Sequence, residues 1–180
     1  MRTIIILFLF ISGCSTIFQI EEKNLVVYNR PSKIESDFYI SGRFFVQIPQ
    51  DSYYGNFDWK HNKGGDSIIL KSPLGQIFAT IDTDSQSHNI SLITNKKQYN
   101  GSNVRIIMED NLGFYLPLDY LYYWICGVSV DKYRIDKYFY NGFSQIGFDV
   151  YYISWYDINH PKYIKISNST MLIKLFLNWK

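Results

Sequence analysis

Cysteine is nearly absent from this chain: of 180 residues only two, Cys14 and Cys126, carry a thiol. A framework of several disulfides is thereby excluded. Histidine is scarce too, with three in all. His61 falls in a glycine-rich turn, His88 in a polar loop and His160 just before Pro161, and no two share a ligand-like spacing, so no metal site is expected. No apolar run reaches the ~20 residues that span a bilayer as a helix. Neither sign of charge dominates: 18 Lys plus Arg against 16 Asp plus Glu leave a net +2. That balance gives no electrostatic case for nucleic acid, and no basic run marks a segment for anionic headgroups. Asp82 with Asp84, and Glu109 with Asp110, read as solvated surface pairs. Gly-x-Ser-x-Gly, a phosphate loop and Cys-x-x-Cys are all missing. Positive support for an enzyme is therefore lacking, and no cofactor is expected. Beyond residue 37 there is no internal repeat and no low-complexity linker.

What is present begins at the N-terminus. Arg2 precedes an unbroken apolar run from Ile4 to Ile11, and Ile11-Ser12-Gly13-Cys14 closes it with small residues and a cysteine. This is the layout of a lipoprotein signal, a special case of the secretory signal peptide. Residues 1–13 would be removed, Cys14 would become a lipidated N-terminus, and residues 14–36, polar and interrupted by Pro31, would form a tether. A lipidated Cys14 leaves Cys126 no second cysteine for a disulfide, and Cys126 reads either as a small apolar residue of the core or as a reactive thiol.

Residues 37–180 read as one domain, long enough to bury a core. From Phe38 to Ile48 apolar residues alternate with period two, the mark of a strand. Pro49 to Ser52 reads as a turn, and Tyr53 to Lys60 alternates again. After the turn His61 to Gly65, strands are expected at Asp66 to Lys71, Ile77 to Thr83, Asn89 to Thr94 and Lys97 to Tyr99. Ser72-Pro73-Leu74-Gly75-Gln76 links the first two of these, a bend with an apolar residue at its tip. Two helices follow: Val104 to Leu112, capped by Ser102 or Asn103 and ended by Gly113, and Leu118 to Ile125, ended by Gly127. Strands return at Tyr133 to Tyr138, Phe143 to Ile146, Asp149 to Tyr156, Tyr163 to Ser167 and Met171 to Trp179.

The expected fold is mostly β: an incomplete antiparallel barrel, a curved sheet with short helices covering an apolar cavity. A sheet of this many strands twists and curls, and helices inserted mid-chain can close one mouth of the curl. The abundant aromatics, 16 Tyr and 13 Phe, suit either a filled core or a cavity wall. Phe44, Phe57 and Trp59 on one strand face fit both readings.

Three stretches in order resemble the LolB family of outer-membrane lipoprotein insertion receptors. They are Gly42-Arg43-Phe44 leading into Tyr54-Gly55-Asn56-Phe57-Asp58-Trp59, then Ser72 to Gln76, then the block from Leu116-Pro117-Leu118 to Trp124-Ile125-Cys126-Gly127. The resemblance spans about residue 36 to the end. It implies a lipid-anchored protein of the outer membrane, facing the periplasm. Such a protein takes acylated lipoproteins from a LolA-like periplasmic carrier and inserts them into the inner leaflet, with no enzymatic activity. By motif, the membrane insertion loop corresponds to Pro73, Leu74 and Gly75. The acyl-chain cavity would draw on Phe44, Val46, Phe57, Trp59, Ile68, Leu70, Ile77, Leu121 and Trp124. A monomer is expected. Two departures stand out: Tyr122 sits where relatives often carry Arg, and the usual Pro near Gly127-Val128-Ser129 is missing. The alternative is a lipid-anchored scaffold lipoprotein with a filled β-barrel that binds a protein partner.

Overall fold

The structure, a computed structural model, describes residues 34, 36–87 and 89–180. The leader, Cys14, the tether apart from its last residues, and His88 lie outside the described residues.

The strands are β1 (Phe38–Ile48), β2 (Asp51–Asn62), β3 (Gly65–Lys71), β4 (Ile77–Thr83), β5 (Ile90–Thr94), β6 (Gln98–Gly101), β7 (Lys137–Phe139), β8 (Gly142–Gln145), β9 (Phe148–Trp155), β10 (Pro161–Ser167) and β11 (Leu172–Trp179). Between β6 and β7 lie the helices α1 (Val104–Leu112) and α2 (Leu118–Ile125). All strands join one antiparallel sheet in the order β6-β5-β4-β3-β2-β1-β11-β10-β9-β8-β7. The chain walks outward from β1 to one edge, crosses, and walks back from the other edge until β11 pairs with β1. Because β6 and β7 are opposite edges, residues 102–136 must bridge the open side of the curl. The helical lid is thus a consequence of strand order.

Alternation puts one side of each strand against the helices. In β1, Phe38, Ile40, Phe44 and Val46 are buried while Tyr39, Arg43 and Gln47 face out. The same pattern holds in β11, where Ile173, Leu175 and Leu177 point in. Asn103 caps α1, its side chain accepting from the Ile106 N–H at 3.2 Å. Gly113 (φ 81°) and Gly127 (φ 82°) take the left-handed conformation that ends each helix.

Some elements differ from the sequence reading. The turn after β1 is only Pro49-Gln50, because Asp51 and Ser52 already pair with Ile48 and Gln47. His61 is not in a turn; it lies in β2, paired with Phe38 on one side and Asp66 on the other. The strand expected at Tyr133 to Tyr138 shrinks to Lys137–Phe139. Gln145 explains this. Its side chain is fully buried, accepts from the Val130 N–H at 2.9 Å, and donates to the carbonyls of Val130 (3.0 Å) and Tyr133 (2.7 Å). Backbone groups satisfied by a side chain have no need of a ladder partner.

Candidate functional site

The inner face of the sheet meets the lid at an apolar seam. Phe44, Phe57, Trp59, Ile68, Leu70 and Leu175 form the sheet side, and Leu116, Leu118 and Leu121 the lid side. The cavity between them is about 20 Å³, room for about one water-sized probe. Ligand pockets run to ~300–1,000 Å³. The seam is therefore shut, with side chains of sheet and lid interdigitated.

The residues expected to wall a cavity divide into three groups. Phe44, Phe57, Trp59, Ile68, Leu70 and Leu121 converge on the seam. Val46 and Trp124 are fully buried but do not border it. Ile77 belongs to neither: it is 51% exposed. The ladder between β3 and β4 shifts register at Leu70/Lys71, so Lys71 pairs with Ile77 while Leu70 pairs with Ala79. Ile77 thereby lies beyond the shift, at the base of the loop, and leaves the inner face. Sequence reasoning missed Leu116, Leu118 and Leu175, although the alternation along β11 carried the signal for the last.

A polar rim borders the seam. The Asp66 carboxylate accepts from the Trp59 indole N–H at 2.7 Å, stands 2.8 Å from His61 Nδ1, and accepts from the Thr83 hydroxyl at 3.1 Å. Trp59, a wall residue, is thus pinned by a carboxylate outside the wall. His61 stacks on Phe38 (5.2 Å between centroids) and on Tyr122 of α2 (4.2 Å). Burial, foremost, pushes the Tyr122 phenol up to about 12, so it stays neutral at physiological pH. Above the rim a recess of about 480 Å³ opens between His61, Asp66, Thr83, Asp119 and Tyr122. Leu118 borders both this recess and the shut seam.

The far end of α2 is held differently. The Tyr152 hydroxyl of β9 donates to the Trp124 carbonyl at 3.0 Å. The Trp124 indole N–H, fully buried, has no acceptor among the described residues. Cys126, buried at the C-cap of α2, occupies a core position.

Leu74 is placed at the opposite kind of site. It is 91% exposed, at the tip of the loop between β3 and β4. The loop is not slack: the Gly75 N–H donates to the Ser72 carbonyl at 2.9 Å, and the Ser72 N–H to the Gln76 carbonyl at 2.8 Å. Asn56 of β2 donates to the Ser72 carbonyl at 3.2 Å and braces the base. Gly75 takes φ 87°, with open space around its α-carbon. Pro73 and Gly75 thus hold an apolar side chain out in solvent on a hydrogen-bonded support.

Among the described residues no group of His, Cys, Asp and Glu could hold a metal ion, and no helix is long and apolar enough to cross a membrane. Comparison with known proteins decides the family. The model of the family described as LolB, outer membrane lipoprotein LolB, matches residues 36–179. The chain belongs to the LolB family. A relative from Chromobacterium violaceum, named outer-membrane lipoprotein LolB, is 25% identical over 154 residues, covering 83% of each chain. One of the same name from Nitrosomonas europaea is 28% identical over 155 residues, covering 78% of this chain and 71% of that protein. A third, from Shewanella sp. strain MR-4, is 23% identical over 181 residues, covering 94% of this chain and 83% of that protein. Among solved structures, a LolA superfamily protein from Nitrosomonas europaea overlaps with a TM-score of 0.48 at 8% identity, over 83% of this chain and 86% of that one.

Proposed function

We propose that this chain is a lipid-anchored receptor of the outer membrane, facing the periplasm. It accepts acylated lipoproteins from a LolA-like carrier and inserts them into the inner leaflet. Cys14 carries the anchor and residues 14–36 the tether. Membership of the LolB family supports the outer-membrane lipoprotein role. The observation that carries the transfer reading is the apolar seam between the sheet and α2. An acyl chain leaving water gains ~0.8 kcal/mol per CH₂, and only a dry surface of this kind receives it. Contact without direction suits cargo that shares its lipid and varies in its protein part. Entry requires α2 to lift, since a seam of about 20 Å³ holds no chain as it stands. Leu74, exposed on its braced loop, is the contact through which cargo leaves for the bilayer.

The test is transfer of a lipidated cargo from the carrier. Leu74→Glu should still take cargo from the carrier and fail to insert it. Normal insertion by that variant would remove Leu74 from the mechanism.

The shut seam also favours a second reading, a scaffold lipoprotein with a filled barrel that binds a protein partner. Extraction of purified protein followed by mass spectrometry separates the two. Co-purifying acyl lipid supports the receptor, and its absence even after incubation with loaded carrier supports the scaffold.

A further inference from the structure

No stretch of this sequence is basic, yet the fold gathers cations on the outer face of the sheet. Strand register sets them in two rows. One runs Tyr54, Phe45, Lys174, Lys165, Tyr151 across β2, β1, β11, β10 and β9. The next runs Lys71, Asn56, Arg43, Phe176, Tyr163 across β3, β2, β1, β11 and β10. Three of the four cations lie against rings: Arg43 is 5.2 Å from the Phe176 centroid, Lys174 is 5.3 Å from Phe45 and Lys165 is 5.8 Å from Tyr151. Phe176 and Tyr163 stack at 4.2 Å.

Two features of these rows call for an anion. Lys165 and Lys174 are direct cross-strand partners, an arrangement of like charges that is unfavourable unless something negative lies over it. The described residues supply nothing: among them Arg43, Lys165 and Lys174 make no ion pair. Asp58 on the same face is already engaged by Lys71, and Asp149 sits toward the strand ends, opposite Ser167 and Ser144.

We propose that this outer face docks on a bilayer surface bearing anionic phospholipid headgroups. The phosphates sit over Arg43, Lys165 and Lys174, and the interleaved Phe and Tyr rings lie at headgroup depth, where amphipathic aromatics are favoured. The surface is an extended band over six strands. A net charge of +2 gives the protein no general field for polyanions, so the attraction is local to this face. The second row ends at Lys71, the last residue before the loop that exposes Leu74. A bilayer meeting the face also meets that loop. The inference stands independently of cargo transfer, which its test does not involve.

The test is vesicle co-sedimentation of the full-length Cys14→Ala chain, which separates the face from any lipid on Cys14. Vesicles of phosphatidylcholine alone are compared with vesicles that also contain phosphatidylglycerol. The chain should prefer the anionic vesicles and lose that preference as salt is raised. The triple variant Arg43→Glu, Lys165→Glu, Lys174→Glu should bind anionic vesicles at least about tenfold more weakly, with binding to neutral vesicles unchanged. If charge reversal impairs folding in a melt, the Gln triple at the same positions should still lose the preference. Equal binding of both vesicle types by the parent overturns the proposal. So does undiminished binding of anionic vesicles by a folded triple variant. Equal binding of both vesicle types together with salt-sensitive capture of an acidic periplasmic protein would reassign the face to a protein and overturn it too.

Discussion

His61 and Tyr122 stack with ring centroids 4.2 Å apart and planes inclined by 29°, joining β2 to the lid helix α2. Neither ring is loose. Asp66 lies 2.8 Å from His61 Nδ1, and Phe38 stacks against both the imidazole, at 5.2 Å, and the Tyr122 ring, at 6.0 Å. Tyr122 thus docks on a ring already fixed by the sheet. The same Asp66 carboxylate holds Trp59, a wall of the seam. Position of the lid and shape of the wall therefore share one anchor.

Tyr122→Ala removes this clasp. A stacked aromatic contact is worth about 1 kcal/mol beyond its buried area. Amide exchange of Leu118 to Ile125 should accelerate relative to that of β1 and β11, and an apolar dye should enter the seam more readily. Unchanged exchange in α2 would mean that the helix is held elsewhere.

Leu175→Ala tests the seam itself. Leu175 is 4% exposed and borders the gap. Truncation should cost ~2–5 kcal/mol, read by urea denaturation, and leave a cavity where the seam was shut. Uptake of a small apolar probe should rise. Ile77→Ala, at a half-exposed site off the inner face, should do neither.

Gln145→Ala orphans the Val130 N–H and the carbonyls that Gln145 now serves. Buried polar groups left unpaired make this an expensive truncation, about 3 kcal/mol. Urea unfolding should show the loss, and proteolysis should begin between residues 128 and 136.

Acid should weaken the Asp58–Lys71 pair. The hydrogen bond from Lys71 is the main reason the Asp58 carboxyl is held below its ordinary value of 3.8. A folded-state value below the unfolded one gives stability that is present above pH 3.8 and is lost as pH falls through the lower, folded value. Asp58→Asn should therefore be less stable than the parent at pH 7, and the gap between their urea midpoints should narrow toward pH 3. A constant gap would show that the pair has no linked proton.

Leu74→Glu should leave the melting temperature unchanged, because the side chain is 91% exposed and its loop is held by backbone and Asn56 hydrogen bonds. A lowered melting temperature would mean that Leu74 packs against the fold.

Much of the architecture was legible residue by residue. Period-two runs located most strands within a residue or two, and Asn103, Gly113 and Gly127 bounded the helices. The misses have a common cause. Ile77 left the inner face because a register shift leaves an extra residue, Phe78, in its own strand. The segment before β7 lost its ladder to Gln145, a residue that gave no sign of being special in sequence. His61 joined a strand because its partners, Phe38 and Asp66, lie on neighbouring strands.

The sequence by itself determined which residues alternate, where turns and caps fall, and that an apolar residue sits at the Pro73–Gly75 bend. These depend on backbone conformation and nearest neighbours. The tertiary structure alone decided three things. It made the helices a lid, because β6 and β7 are opposite edges of the sheet. It shut the apolar seam, because leucines from α2 and its approach fill the space before the strands. It assembled a cationic face from Arg43, Lys165 and Lys174, scattered along the chain and joined only by strand register. Distances across a sheet are set by pairing, and pairing is not local.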